Sequence, residues 1–377
     1  MDFSYSEEQT LLRNSVSKFL ADHYDFENYK KISRSEAGWS QAVWKQFAEL
    51  GLMAAPLPEE YGGLGGGAIE TMIIMEEFGR ALVVEPFVST VVVGGGFLRH
   101  GGSGAQKERW LNRIAEGSTV MAFAFAERDG RYNFADLTTT AKKDGSGYLL
   151  NGQKTVVLKA PHADVLIVTA RTGGGRRDTK GVSVFLVDKN AKGVSTRDYP
   201  TIDGQRASEV SFDNVAVPAE ALLGTQDDGL GLIEQVSDEA IAAHTAEAAG
   251  AMKVLLDATV EYTKTRKQFG VPIGKFQVLQ HRMVDMFIQA EQTTSMALMV
   301  TLKLSEPEIE RKKAASAAKV QLGKGGRFVG QQAVQLHGGM GMTDELNVGH
   351  YFKRLTLLDT LYGNIDHHLK RYAALSA

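Results

Sequence analysis

The chain has 377 residues, 43% apolar and 23% charged, with a formal net charge of -3. That composition suits an ordinary soluble globular protein of two or three packed units, and Lys+Arg 42 against Asp+Glu 45 leaves no basic excess to meet nucleic-acid phosphates. Zero cysteines exclude disulfides, thiolate zinc sites and cysteine nucleophiles together. The opening Met1-Asp2-Phe3-Ser4-Tyr5-Ser6-Glu7-Glu8 has no basic n-region and no apolar core, so no signal peptide is expected. No run approaches the roughly 20 apolar residues of a membrane helix, since even 81–97 is broken by Glu85, Pro86 and glycines. A cytoplasmic location is the default expectation.

Residues 1–118 read as a helical domain. Ser6-Glu7-Glu8-Gln9 has the form of a capping box, with Leu12, Val16, Phe19 and Leu20 at helical spacing behind it. Trp39, Val43, Phe47 and Leu50 repeat that spacing, and Gly51 offers a stop. The glycines between Pro56 and Gly67 follow no phosphate-loop pattern and read as a plain turn.

Across 119–226 the period changes. Val165-Leu166-Ile167-Val168, Val182 to Val187 and Val210-Ser211-Phe212 are short β-branched runs, and Asn151-Gly152 is predicted to be a hairpin turn. An antiparallel sheet or small barrel is expected, with Gly173 to Asp178 as a basic, solvated connection. Residues 227–377 return to long helical stretches, Leu232 to Thr265, Phe276 to Ser305 and Glu308 to Leu336, which suit a four-helix bundle. The fold class is therefore α+β, mostly α.

Three segments in this order resemble the acyl-CoA dehydrogenases over essentially the whole length. They are Tyr262-Thr263-Lys264-Thr265-Arg266-Lys267-Gln268-Phe269-Gly270, Gln335-Leu336-His337-Gly338-Gly339-Met340-Gly341, and Leu149-Asn151-Gly152-Lys154 with Ala163-Asp164. A guanidinium at the end of a long helix can reach paired phosphates, and a glycine lets the backbone approach them. The resemblance implies that Arg266, Gln268 and Phe269 hold the adenine and pyrophosphate half of FAD. Gln335, Gly338 and Gly339 are similar to the segment that touches that half from a neighbouring subunit. It also implies an acyl-CoA substrate, oxidised to a trans-2-enoyl-CoA, and electron-transfer flavoprotein as acceptor.

Members of that family remove the α-proton with a glutamate, and both places where it is expected are empty here. In the Tyr-Glu-Gly-Thr segment the chain has Tyr362-Gly363-Asn364, and the alternative position, early in the first long C-terminal helix, is Ala240 between Glu239 and Ile241. On the flavin side, Thr-Glu-Pro-x-x-Gly-Ser-Asp becomes a segment starting Ala126-Glu127-Arg128, and Trp-Ile-Thr becomes Val156-Val157-Leu158. Glu247, seven residues after Ala240 in a run of alanines, reads either as a relocated base with its pKa raised by burial or as a buried structural glutamate bonded to a backbone group or an arginine. Asp366 and His244 are weaker candidates. His367 and His368 lack the spacing of a metal site, and no metal is expected.

The segment from Leu361 to Leu369, with Tyr351 to Arg354 and Thr343 to Leu346, resembles the pimeloyl-CoA dehydrogenase small-subunit type, related to pairs acting on dicarboxyl- or steroid-acyl-CoA. Two readings are open. The chain is a dehydrogenase with a displaced base, or a subunit that completes the FAD site of a base-bearing paralogue in a heterotetramer. Another flavin-dependent oxidase on the same fold is a third. A shared FAD site implies at least a homodimer, and bundle packing a tetramer.

Overall fold

Ser6 starts the first helix as its sequence requires: its hydroxyl accepts from the Gln9 amide at 3.1 Å, and the Gln9 side chain accepts from the Ser6 amide at 3.1 Å. The computed structural model describes residues 4–376, so the first three residues of the opening segment lie outside the described residues. Its helices are α1 (Glu7–His23), α2 (Phe26–Arg34), α3 (Gln41–Glu49), α4 (Ala68–Ala81), α5 (Gly95–Gly101), α6 (Gly104–Ala115), α7 (Leu230–Thr265), α8 (Gln277–Lys303), α9 (Glu308–His337), α10 (Val348–Thr360) and α11 (Ile365–Ser376). Two compact units result. One takes residues up to Lys31, Ala68–Val83 and those from Ile241 on; the other takes Ile32–Gly67 and Val84–Ala240.

The first unit is helical, and α9 is its hub. α8, α10 and α11 all pack on α9, so the bundle of three long helices and α10 has a fifth, short member. Glycines permit the close approach. A Cβ at Gly323 would lie 2.3 Å from Asp359 Oδ1, and one at Gly330 would lie 2.5 Å from Phe352 Cδ2. Lys319, wholly buried, donates to the carbonyls of Leu358 and Asp359 at 2.6 and 2.8 Å and so satisfies the C-terminal end of α10.

The second unit is built on one sheet. Its strands are β1 (Met121–Ala124), β2 (Thr140–Asp144), β3 (Gly147–Leu158), β4 (Val165–Arg171), β5 (Val182–Asp188), β6 (Val194–Pro200), β7 (Arg206–Pro218) and β8 (Leu222–Leu223), in the order β6-β7-β3-β2-β4-β5-β8 with β1 on β4. The expectation of an antiparallel sheet is corrected: β1 and β2 each pair with β4 in parallel, so the sheet is mixed. Leu150, Leu166, Val168, Phe185, Val210 and Val215 form its fully buried core.

Asn151-Gly152 is not the hairpin turn. Asp144 pairs with Gly147, which puts the turn at Gly145-Ser146, with Gly145 at φ 56°. Asn151 and Gly152 lie inside β3 at a register shift against β7, where a Cβ on Gly152 would strike the Thr139 backbone at 2.6 Å. The asparagine-glycine pair signals positive φ correctly, but here a bulge uses it. The loop Gly173 to Asp178 is solvent-exposed from Gly174 on, as expected, and it is also anchored, since Arg176 and Arg177 both donate to the buried Asp136.

Candidate active site

In the first unit, α7 ends at a two-stranded hairpin formed by β9 (Lys267–Gln268) and β10 (Val271–Pro272), with Phe269 at φ 52° and Gly270 at φ 81° in the turn. Phe269 is 92% exposed. Arg266 is exposed too, and its guanidinium has no hydrogen-bond or ion-pair partner among the described residues. The Tyr262 ring stacks on His337 with centroids 4.4 Å apart, so the C-terminal ends of α7 and α9 are neighbours within one chain. Gln335, Gly338 and Gly339 are all exposed at that end.

A Cβ at Gly270, Gly338 or Gly339 would meet nothing within 4 Å. Gly338, at φ 60°, has a backbone reason to be glycine; Gly339 has neither a positive φ nor a close neighbour. An unpaired guanidinium, an open glycine backbone and a bare aromatic ring fit the phosphates and adenine of FAD.

On the sheet, a register shift between Lys154 and Val157 bulges β3 outward. Val156 there adopts φ 51° and is 49% exposed, an uncommon state for a β-branched residue. The Ala126 carbonyl accepts from the Thr155 amide at 2.8 Å, which ties the 126 segment to this bulge. Glu127 is consumed internally: it accepts from Lys154 Nζ at 2.8 Å, the Thr138 amide at 2.6 Å and the Thr139 amide at 3.0 Å. Burial pushes its carboxyl up, but Lys154 and Thr138 outweigh that and hold it at about 2.

Gly363 is sealed against a side chain. Its φ is 114°, and a Cβ would lie 2.6 Å from both His367 Cδ2 and His368 Nε2. His368 is buried, with Nε2 2.9 Å from the Tyr362 carbonyl and Nδ1 3.3 Å from Ser316 Oγ. Asn364 Oδ1 accepts from the His367 amide at 3.0 Å and opens α11. Among the described residues, no group of three or more metal-ligating side chains could hold an ion.

Of the other acidic candidates, Glu239 is committed elsewhere. Glu239 holds Arg99 at 2.7 Å and His100 at 2.6 Å; burial raises its pKa, and these two partners bring it below the ordinary value. Ala240 is fully buried, and Asp366 is exposed.

Glu247 is buried between two partners. Arg354 Nε and Nη2 donate to it at 2.5 and 2.9 Å, and His244 Nδ1 lies 3.0 Å from its Oε2. Burial alone would raise its pKa, as the sequence suggested, yet Arg354 and His244 reverse the direction and hold it at about 2. The geometry is that of the arginine-bonded structural glutamate. Its partnership with His244 went unforeseen, although an i,i+3 spacing on one helix was a readable signal for it.

The N-terminal, middle and C-terminal domain models of acyl-CoA dehydrogenase match residues 6–118, 122–215 and 227–375. The chain belongs to the acyl-CoA dehydrogenase family, FAD-dependent oxidoreductases acting on CH–CH donors. It is 33% identical to acyl-CoA dehydrogenase FadE12 of Mycobacterium tuberculosis (strain ATCC 25618 / H37Rv) over 353 residues, 92% of this chain and 90% of the relative. Among solved structures it resembles the Tcur3481-Tcur3483 steroid ACAD G363A variant, with 27% identity, a TM-score of 0.89 and 98% of each chain covered. It also resembles the FAD complex of PigA, with 26% identity, a TM-score of 0.91 and 100% of each chain covered.

Proposed function

We propose that this chain catalyses α,β-dehydrogenation of an acyl-CoA thioester to a trans-2-enoyl-CoA, without a glutamate at either of the family's usual base positions. The carrying observation is a contrast. The Arg266 guanidinium is unpaired beside an exposed Phe269, whereas Gly363 is closed by His367 and His368. The chain keeps what a dinucleotide needs and has rebuilt the place of the carboxylate.

FAD, when bound, supplies the acceptor for the β-hydride. Arg266 would pair with its phosphates, Gln268 and Phe269 would flank its adenine half, and the open backbone at Gly338 and Gly339 would let phosphate oxygens approach. Ala126 and the Val156 bulge would border the ring system. Glu247 acts by positioning its neighbours, since a carboxylate held at about 2 is a poor proton acceptor near neutral pH. Electron-transfer flavoprotein is the proposed acceptor and the cytoplasm the proposed location. No described helix is long and apolar enough to cross a membrane.

The closed turn at Gly363 also favours a second reading, in which a base-bearing paralogue completes a heterotetramer of the small-subunit type; the similarity to the Tcur3481-Tcur3483 steroid ACAD supports it. Purifying the chain alone, recording its flavin spectrum and adding saturated acyl-CoAs with a dye acceptor separates the two. Bleaching by the isolated chain supports the dehydrogenase. Full flavin loading with bleaching only after co-expression of a paralogue supports the subunit, and absence of flavin from either preparation refutes the assigned FAD residues.

A further inference from the structure

We propose that His244 is the residue that takes the α-proton, with Glu247 and Arg354 fixing its tautomer. This rests on the dehydrogenase reading and supplies the base that reading lacks.

The imidazole is placed by geometry. His244 lies one helical turn after Ala240 on α7, and its ring sits 6.1 Å, centroid to centroid, from that of Tyr362, the residue before Gly363. It therefore neighbours both vacated base positions. The side chain is 5% exposed. Its Nδ1 meets Glu247 at 3.0 Å, while its Nε2 has no hydrogen-bond partner among the described residues and does not belong to the sealed, unpaired polar atoms. One ring nitrogen is held and the other is left without a protein partner.

Hydrogen-bond chemistry then sets the proton. Glu247, doubly engaged by Arg354, is ionised and can only accept, so His244 Nδ1 must carry the hydrogen. Burial, first among the influences on His244, pushes its pKa below the ordinary value despite the pull of Glu247, which keeps the imidazole neutral. Nε2 is left as a lone pair, the state a general base requires. In the proton step the substrate Cα–H bond breaks, a new N–H bond forms on Nε2, and the electron pair passes into the enolate. FAD, when bound, would supply the two-electron oxidant that accepts the β-hydride, which balances formation of the Cα=Cβ bond.

The charged and titratable groups that act on His244 are Glu247 on α7, Arg354 on α10 and Lys319 on α9, with the Tyr362 ring beside it after α10. Flavin-loaded protein and an acyl-CoA shown to bleach it provide the test. His244→Gln is expected to keep flavin content but slow bleaching by on the order of a hundredfold or more, and to lose the acid limb of the wild-type pH profile. A rate within threefold of wild type overturns the proposal.

A second readout needs neither turnover nor a variant. Nitrogen-15 NMR of histidine-labelled protein at neutral pH should show His244 with Nδ1 protonated and Nε2 bare. An Nε2-protonated tautomer overturns the assignment, even if His244→Gln fails to fold. If the wild type bleaches with no acyl-CoA, alone or with a paralogue, the dehydrogenase reading itself falls; a bleaching wild type matched by His244→Gln overturns the base alone.

Discussion

At Gly363 the backbone sits at φ 114° with two histidine rings 2.6 Å from any added Cβ. Restoring the family glutamate there is expected to fail. Gly363→Glu should cost about 1–3 kcal/mol in backbone strain alone and displace His367 or His368, read as a lower melting temperature with no gain in acyl-CoA-dependent bleaching. Glu247 makes the opposite case, a carboxylate whose loss exposes its partner. Glu247→Gln removes the carboxylate to which the buried Arg354 donates, for which about 3–5 kcal/mol is expected by urea unfolding at pH 7. Its folded pKa lies below the ordinary 4.5, so the stability it contributes is present above that value and lost as pH falls toward about 2. Unfolding series at decreasing pH should show that loss in the wild type and a flatter profile in Glu247→Gln. Sequence reading reached Gly363, Ala240 and Glu247 because each is a choice of residue type. It did not reach the sealing of Gly363 or the reversal of the Glu247 pKa, which depend on side chains up to 107 positions away.

Elements carry strain and satisfaction that residue types conceal. Val156 holds φ 51° in the β3 bulge, where glycine would be relaxed. Val156→Gly should leave the melting temperature unchanged or raise it, despite removing an isopropyl group, and calorimetry would contradict this by a clear drop. Lys319, in the middle of α9, satisfies the end of α10 through the carbonyls of Leu358 and Asp359. Burial pushes its ammonium down to about 7 while Asp359 pulls it up. Lys319→Ala should destabilise by about 1–3 kcal/mol through those unpaired carbonyls. Because the folded value lies below 10.5, the unfolded chain binds more protons between about pH 7 and 10.5, and the Lys319 contribution to stability grows across that range. The long helices were legible because helix-forming residues dominate runs of 27 to 36 residues. The Asn151-Gly152 bulge was not, because a hairpin turn and a bulge ask the same backbone freedom of the same residue types.

Across the molecule, α8 exposes Val284, Phe287 and Ile288 on adjacent positions of one face, and the α7 hairpin exposes Phe269. Apolar surface of this kind is characteristic of an oligomer contact. Phe287→Asp combined with Ile288→Lys should lower the oligomeric state by light scattering, with a loss of bound flavin if the dinucleotide is shared; an unchanged mass would show that this face is not the contact. By itself the sequence determined the helix-sheet-helix order, the absence of thiol chemistry, the Arg266 to Gly270 and Gln335 to Gly341 segments and the presence of glycine at 363 and alanine at 240, since periodicity and residue identity are local. Only tertiary structure decided that β1 and β2 run parallel to β4, that Glu127 belongs to Lys154, and that Glu247 lies between Arg354 and His244. Those are pairings between distant parts of the chain. Their energies come from burial and proximity, which exist only once the chain has folded.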